Sequence, residues 1–128
     1  MGLTQATALD YLGFLVNKTA HPLNLAVGLK NGVKLVPDVS WWTEFAVNEE
    51  CASPPGDTED APHGPNECKT LVPYVNKQKP VLHVEYDAAV PNIKNATEIK
   101  VFCDPSTMAG FSTVLKRKAL DGNTEYCP

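Results

Sequence analysis

The sequence predicts an α/β fold in which four parallel strands alternate with helices. Four short apolar runs carry hydrophobic residues at both alternating positions, as buried parallel strands do. Segments with helical signals separate these runs, and parallel neighbours need crossover connections of this kind. The predicted strands are LNLAVGLKN at 23–31, FAVNEEC at 45–51, VLHVEYD at 81–87 and GFSTVLK at 110–116.

The segment before the first strand predicts one amphipathic helix over residues 4–20. Thr4 is a candidate N-cap, and Pro22 ends the helical pattern. The first strand then ends in the turn Asn31–Gly32. A short helical stretch, interrupted at Pro37, leads to the second strand. The apolar stripe of the first helix contains Ala8, Leu12, Leu15 and Ala20.

Residues 52–66 predict a surface loop, because four prolines, two glycines, three acids and one histidine cannot form a core segment. A short helix over 68–78 leads to the third strand. A loop from Ala88 to Lys100 then leads into a weak helix near 102–110, which precedes the fourth strand.

An open sheet of four parallel strands leaves unpaired edges and half-covered apolar faces. It therefore predicts either a small doubly wound sheet or half of an eight-stranded barrel. No glycine-rich phosphate loop follows the first strand, since Gly28 and Gly32 alone do not make one. A nucleotide-binding protein is disfavoured, and no cofactor is expected.

The charge balance argues against several partners. The net charge of -4, from 15 acidic and 11 basic residues, provides no basic surface for nucleic acid or an anionic membrane. No apolar run approaches the roughly 20 residues that a membrane-spanning helix needs. A neutral or cationic partner is expected.

The cysteines and two glycosylation triplets predict a secreted protein. The even number of cysteines, without any C-x-x-C pair, fits two disulfides better than a metal site. Asn17 and Asn95 begin N-x-T triplets. The N-terminal residues lack a signal-peptide layout, so we expect the export signal outside this sequence. The alternative is a cytosolic chain with free thiols. The cysteines are Cys51, Cys68, Cys103 and Cys127.

Every predicted strand ends in ionisable or amide side chains. In parallel α/β folds, reactive groups gather at the carboxyl ends of the strands. Polar residues at one strand end can simply mark where the chain leaves the core, but four such ends indicate a site. The strand ends are Lys30–Asn31, Asn48–Glu49–Glu50, Glu85–Tyr86–Asp87 and Lys116–Arg117.

Glu49 is the candidate general acid. It shares a face of its strand with Val47, and desolvation at the last inward position would raise its pKa. The alternative is a rim salt bridge with Lys30. On the third strand, His83 and Glu85 share a face.

The ordered strings LAVGLKN, FAVNEEC, VLHVEYD and GFSTVLK, followed by a terminal cysteine, resemble the second half of glycoside hydrolase family 114. The resemblance implies one partial domain over residues 1–128, the C-terminal half of a (β/α)8 TIM barrel. It also implies action on α-1,4-linked galactosamine-containing polysaccharide. The family's catalytic glutamate falls on Glu49, whereas its catalytic aspartate would precede Met1. We therefore expect the chain alone to be inactive or very feeble.

The same resemblance implies roles for other residues. Compared with the family, the insert between the first two cysteines is long. The sugar contacts would be Lys30, Asn48, Glu85 and Tyr86. The disulfides would be Cys51 with Cys68 and Cys103 with Cys127.

An acidic rim would complement a cationic amino sugar. The alternative function is a noncatalytic carbohydrate-binding or pseudoenzyme fragment. Half-barrels that pair as a homodimer are a further possibility, because exposed strand edges and apolar faces favour self-association. The rim acids would be Glu49, Glu50, Glu85 and Asp87, with Asp57, Glu59 and Asp60 of the insert.

Overall fold

Five strands form one sheet, in chain order, in the computed structural model, which describes residues 4–52, 67–93 and 96–127. The first four strands pair in parallel, as predicted. The strands are β1 (Gly28–Lys30), β2 (Phe45–Glu49), β3 (Val81–Tyr86), β4 (Phe111–Lys116) and β5 (Thr124–Tyr126). The α-helices are α1 (Gln5–Phe14), α2 (Val36–Val39), α3 (Glu67–Thr70), α4 (Val72–Asn76), α5 (Ala96–Phe102) and α6 (Pro105–Met108).

Helix α1 begins after Thr4, as the sequence predicts. Thr4 and Thr7 form a capping box, in which each side chain accepts a hydrogen bond from the other residue's backbone N–H. Beyond α1 the chain continues through a π-helical turn, Leu15–Ala20, and a 3₁₀ turn, His21–Leu23. Pro22 lies in that last turn, where its missing N–H limits further helical growth.

Side chains alternate between the two faces of the sheet. The register sets Val47 beside Leu82 and Asn48 beside His83, so it defines which side chains share a face. Helices pack on the covered face, which carries Leu29, Ala46, Asn48, Val81, His83, Glu85, Thr113 and Leu115. The opposite face, called the open face below, carries Lys30, Phe45, Val47, Glu49, Leu82, Val84, Tyr86, Val114 and Lys116.

The main apolar core lies between the covered face and the helices. Each fully buried large apolar side chain contributes roughly 1.5 to 3 kcal/mol. Tyr74 is the largest of these buried side chains, and its hydroxyl lies 2.6 Å from Thr43 Oγ1, so its polar end is paired. On the open face, by contrast, Leu82 is 43% exposed. The core contains Leu29, Val36, Val39, Ala46, Leu71, Tyr74, Val81 and Met108.

The ring of Phe45 lies against the backbone of Gly28 on the open face. The two residues are register partners in the β1–β2 pair. A Cβ added at position 28 would lie 2.1 Å from the Phe45 ring. The absence of a side chain at Gly28 therefore lets the ring pack directly on β1.

Strand β5 is not among the predicted strands. It pairs antiparallel with the end of β4, where Lys116 lies opposite Thr124 and Val114 opposite Tyr126. The parallel sheet thus carries one antiparallel edge strand, and this strand covers part of the β4 edge.

Both predicted disulfides are present. Cys51–Cys68 joins the loop after β2 to α3, with the two Cα atoms 5.0 Å apart. Cys103–Cys127 joins the end of α5 to the residue after β5. All four cysteines are therefore paired, which confirms the interpretation of the even cysteine count.

Some predictions fall partly or wholly outside the described residues. Ala52 is described, but residues 53–66 of the predicted loop are not, and neither is Asn95. Asn17 is exposed in the π-helical turn, and its side-chain amide donates to Gly13 O at 3.0 Å. None of the described helices is long and apolar enough to cross a membrane.

Candidate active site

Glu49 lies at the carboxyl end of β2 on the open face, and two neighbouring strands contact its carboxylate. Lys30 Nζ of β1 donates to Glu49 Oε2 at 2.9 Å. The hydroxyl of Tyr86 on β3 donates to Glu49 Oε1. The backbone N–H of Glu49 donates to Asn31 Oδ1 at 3.0 Å, which fixes the strand end itself. Three consecutive strands thus position one carboxylate.

These contacts control the protonation of both partners. The Tyr86 hydrogen bond and then the Lys30 hydrogen bond lower the pKa of Glu49, and together they outweigh the raising effect of burial. Burial and then the Glu49 carboxylate raise the pKa of Tyr86 to about 12. The expectation of a raised pKa at Glu49 is therefore wrong. The contact that the sequence left as an alternative, a salt bridge with Lys30, is present.

Asn48 and Glu85 do not join Glu49 on the open face. Both are fully buried on the covered face, because they alternate with Glu49 and Tyr86 along their strands. The amide of Asn48 has no hydrogen-bond partner among the described residues. As placed, neither side chain can contact a sugar bound at Glu49. The expectation that both line the same pocket as Lys30 and Tyr86 is therefore corrected.

Glu85 instead anchors the loop that follows Glu49. Its Oε1 accepts a hydrogen bond from Ala52 N at 2.7 Å and lies 2.7 Å from His83 Nε2. His83 Nδ1 lies 3.1 Å from Thr113 Oγ1, so the ring contacts polar atoms through both nitrogens. The Glu85 carboxylate can remain buried at this position because its Oε1 has two polar partners, the Ala52 N–H and the His83 ring.

The same buried cluster brings two cysteines close to a histidine. One ligand atom each from Cys51, Cys68 and His83 lies within 4.8 Å of the others. However, the two sulfurs form a disulfide, and a metal ligand must be a thiolate. His83 Nε2 lies 3.3 Å from Cys51 Sγ, so the ring packs against the disulfide that closes the loop.

The described part of the rim is charge-balanced rather than acidic. Lys118 Nζ lies 3.2 Å from Glu50 Oε1, and Arg117 pairs with Asp121. The expected acidic rim included Asp57, Glu59 and Asp60, which lie outside the described residues.

Sequence reasoning identified Lys30, Glu49 and Tyr86, and the structure brings these three together. It gave no role to Asn31 or Lys118. Asn31 stood in the first polar strand end, and its αL backbone, φ 51°, favours the asparagine found there. Lys118 lies beyond the predicted end of the fourth strand, so no strand pattern indicated it.

The parallel sheet, its helix-covered face and its polar carboxyl-terminal rim are those of one half of a (β/α) barrel. The model of glycoside-hydrolase family GH114 matches residues 1–128. The chain belongs to this family of glycoside hydrolases.

One solved structure is similar to nearly the whole chain. The chain is similar to the Aspergillus fumigatus protein Ega3, crystallised in complex with galactosamine, with 34% sequence identity and a TM-score of 0.77. The match covers 98% of this chain and 47% of the Ega3 chain, so the present chain spans about half the length of that structure. The comparison with curated proteins gives no match.

Proposed function

We propose that this chain supplies part of the active site of a glycosidase that cleaves α-1,4-linked galactosamine-containing polysaccharide, with Glu49 as a catalytic carboxylate. The observation that carries the proposal is the position of Glu49. It lies at the carboxyl end of a parallel strand, on the open face, with Lys30 and Tyr86 on either oxygen. Barrel enzymes place their reactive groups at this end of the strands.

Glycoside hydrolysis uses two carboxylates, one on each side of the bond that breaks. With the pKa lowered by Tyr86 and Lys30, Glu49 is ionised at neutral pH and is ready to accept a proton from water. To donate a proton, Glu49 needs a second carboxylate nearby, because the negative charge of that group would raise the pKa of Glu49. We propose that this second carboxylate lies outside the 128 residues and that these residues alone have little activity.

Lys30 and Tyr86 are proposed to bind the sugar as well as Glu49. The side chain of Lys30 is 61% exposed and can donate to a hydroxyl oxygen. Tyr86 has a half-buried ring, on which a sugar can pack, and a hydroxyl that already contacts Glu49. The same residue would therefore hold the sugar next to the carboxylate. For Asn48 and Glu85 we propose a supporting role behind the sheet.

The choice of substrate is supported by the family and by the galactosamine bound to Ega3. We further propose that the protein is secreted. Two disulfides support this, because they persist in oxidising compartments.

The test is hydrolysis of partially deacetylated galactosaminogalactan by the full-length parent protein. Glu49→Gln should lower kcat by about 10²-fold or more, since it removes a proton-transferring group while keeping the shape. Glu50→Gln is the matched control, because Glu50 pairs with Lys118 and should leave kcat nearly unchanged. Unchanged turnover in Glu49→Gln would reject the catalytic role.

The second candidate is a noncatalytic carbohydrate-binding or pseudoenzyme protein. The hydrogen bonds from Tyr86 and Lys30 favour it, because a carboxylate whose pKa they lower is a poor proton donor. Galactosamine binding by the full-length protein, without any hydrolysis of the polymer, would support this candidate over the first.

We also propose that the isolated chain self-associates through the open face, where Leu82 is 43% exposed. Sedimentation at increasing protein concentration should then show a rising mass. A constant monomer mass would exclude it.

A further inference from the structure

The first N-x-T triplet, Asn17 to Thr19, lies in the π-helical turn that continues α1. Both Asn17 and Thr19 are exposed there, so a group attached to the Asn17 amide would extend into solvent. Such triplets accept N-linked glycans when they lie at the surface of a secreted protein. The fold therefore accommodates a glycan at Asn17.

The amide of Asn17 is turned back along the helix. Its Nδ2 donates to Gly13 O at 3.0 Å. Because Gly13 directly precedes Phe14, this hydrogen bond holds the amide beside the turn that carries the Phe14 ring. An asparagine amide nitrogen has two hydrogens, and an N-glycosidic bond replaces only one of them. The hydrogen that remains can still donate to Gly13 O.

Phe14 presents an aromatic ring to solvent on the same side of the helix as Asn17. It is 58% exposed and lies three residues before Asn17, and residues three apart are neighbours on a helix surface. The core side of α1 is formed by Leu9 and Leu12, which pack against the main apolar core. The Phe14 ring therefore offers apolar surface next to the point where a glycan would be attached.

This end of the helix lies away from the candidate active site. His21, the residue after the π-helical turn, has its Nε2 3.1 Å from Glu44 Oε1, and Glu44 directly precedes β2. Glu49 lies at the other end of β2. At about 3.3 Å per residue, the five residues from Glu44 to Glu49 span about 16 Å. A glycan at Asn17 would thus leave the carboxyl ends of the strands open to substrate.

We propose that Asn17 carries an N-linked glycan and that the first N-acetylglucosamine of this glycan packs on the ring of Phe14. The inference rests on the proposed secretion of the protein. The transfer forms a bond between Asn17 Nδ2 and the anomeric carbon of the first sugar. The bond from that carbon to a lipid-linked pyrophosphate breaks, the pyrophosphate leaves with the electron pair, and Nδ2 loses one proton.

The contact between sugar and ring stabilises the folded chain. One face of the sugar ring presents C–H groups, and an aromatic side chain can cover apolar surface of this kind. Packing the two together removes apolar area of both from water. In the unfolded chain the helix no longer holds Phe14 and Asn17 side by side, so the stabilisation belongs to the folded state.

The first experiment measures whether Asn17 is modified. The 128-residue chain is produced in a eukaryotic cell behind a heterologous secretion signal, and Asn95→Gln removes the other triplet. Peptide mass spectrometry of cells and medium should find a glycan on Asn17. Thr19→Ala destroys the triplet but keeps Asn17, so it should abolish the modification. The sugar is transferred as the chain enters the secretory route, so this result does not depend on folding. An unmodified Asn17 in both fractions would overturn the inference.

The second experiment measures the packing on Phe14. The glycosylated chain, trimmed enzymatically to one sugar, is compared in urea unfolding with the same sequence produced without glycosylation in a bacterial periplasm. The equilibrium constant for unfolding should be about fourfold smaller with the sugar, which is the effect of withdrawing about one methylene group from water. Equal constants for the two forms would show that the sugar does not pack on the protein, contrary to the inference.

Phe14→Ala is the decisive variant, because without the ring the two forms should unfold with equal constants. Tyr11→Ala is the matched control. Tyr11 is also an exposed aromatic residue of α1, but it lies six residues before Asn17 and so on another side of the helix. The fourfold difference should persist in Tyr11→Ala. A sugar effect that survives Phe14→Ala, or that Tyr11→Ala also removes, would overturn the contact with Phe14.

These experiments are independent of the test of the proposed function. The heterologous signal directs the chain into the secretory route, so the result at Asn17 does not depend on the native signal. If the sugar packs on Phe14 but Glu49→Gln in the parent protein still hydrolyses the polymer, the catalytic role fails and the glycan inference stands. If Glu49→Gln abolishes hydrolysis but Asn17 is unmodified, the glycan inference fails and the catalytic role stands.

Discussion

The hydroxyl of Tyr86 on β3 donates a hydrogen bond to the carboxylate of Glu49 on β2. The two side chains lie on the same face because Glu49 is opposite Val84 in the register, two residues from Tyr86. Each changes the acidity of the other, and this mutual effect can be measured.

Removing the tyrosine hydroxyl should raise the pKa of Glu49. Tyr86→Phe deletes the contact that lowers this pKa most, while the ring remains in place. Carboxyl NMR titration of the 128-residue chain gives the midpoint directly. Tyr126→Phe changes a tyrosine that is 71% exposed and serves as control. An unaltered Glu49 midpoint in Tyr86→Phe would show that the Tyr86 hydroxyl does not lower the pKa of Glu49.

The depressed pKa of Glu49 also predicts how stability changes in acid. The folded pKa lies below the unfolded one, so the contribution is complete above the unfolded pKa and is lost as pH falls through the folded pKa. Urea unfolding over a series of acidic pH values should therefore show that the free energy of unfolding falls more steeply with decreasing pH in wild type than in Glu49→Gln. Parallel curves for the two proteins would rule this out.

The ion pair between Lys30 and Glu49 should contribute little to stability. Its side chains are 61% and 34% exposed, so water screens the attraction. A double-mutant cycle with Lys30→Met and Glu49→Gln should give a coupling of less than about 1 kcal/mol in urea unfolding. A coupling well above that value would indicate that the pair is a structural element rather than part of a site.

The buried carboxylate of Glu85 should contribute far more to stability than the exposed pair of Lys30 and Glu49. Glu85→Leu leaves the Ala52 N–H and the His83 ring without their acceptor in a fully buried position. We expect a loss of about 3 kcal/mol in the free energy of unfolding. Asp10→Leu, at an exposed position of α1, should cost under about 1 kcal/mol. Similar costs for both variants would show that the buried network is not important for stability.

Loss of the first disulfide should also destabilise the fold. Cys51 and Cys68 close a loop with a sequence separation of 17, and loops of this size correspond to about 3 kcal/mol. The Cys51→Ser/Cys68→Ser double variant should show this loss in urea unfolding. Thermal melting of the same variant under oxidising conditions provides a second measurement, and an unchanged melting temperature would contradict the expectation.

The order of strands and helices was predictable because buried parallel strands have a distinct pattern. In β2 and β3 nearly every residue is buried or half-buried, whichever face of the sheet it lies on. The predicted runs contain the observed strands. Strand β5 was missed because a strand of three residues carries no pattern of its own. Its signal was the Asp121–Gly122 pair, a typical turn sequence ahead of a hairpin strand.

The candidate site was predictable only in part, for a geometric reason. The sequence correctly showed that His83 and Glu85 share a face, and that Val47 and Glu49 do. It could not show which of these pairs faces the helices, because β3 has apolar residues at both alternating positions, such as Val81 and Leu82. Only the packing of the helices against one face resolves this, and that packing depends on contacts between residues far apart in the sequence.

The contact between Phe45 and Gly28 constrains how this family can diverge. Two positions that are 17 residues apart in sequence share one space, since the ring occupies the volume that a side chain at position 28 would need. In homologues, side-chain size at these two positions should therefore change together, with a larger residue at one accompanied by a smaller residue at the other. Such covariation would mark β1 and β2 as neighbours in aligned sequences.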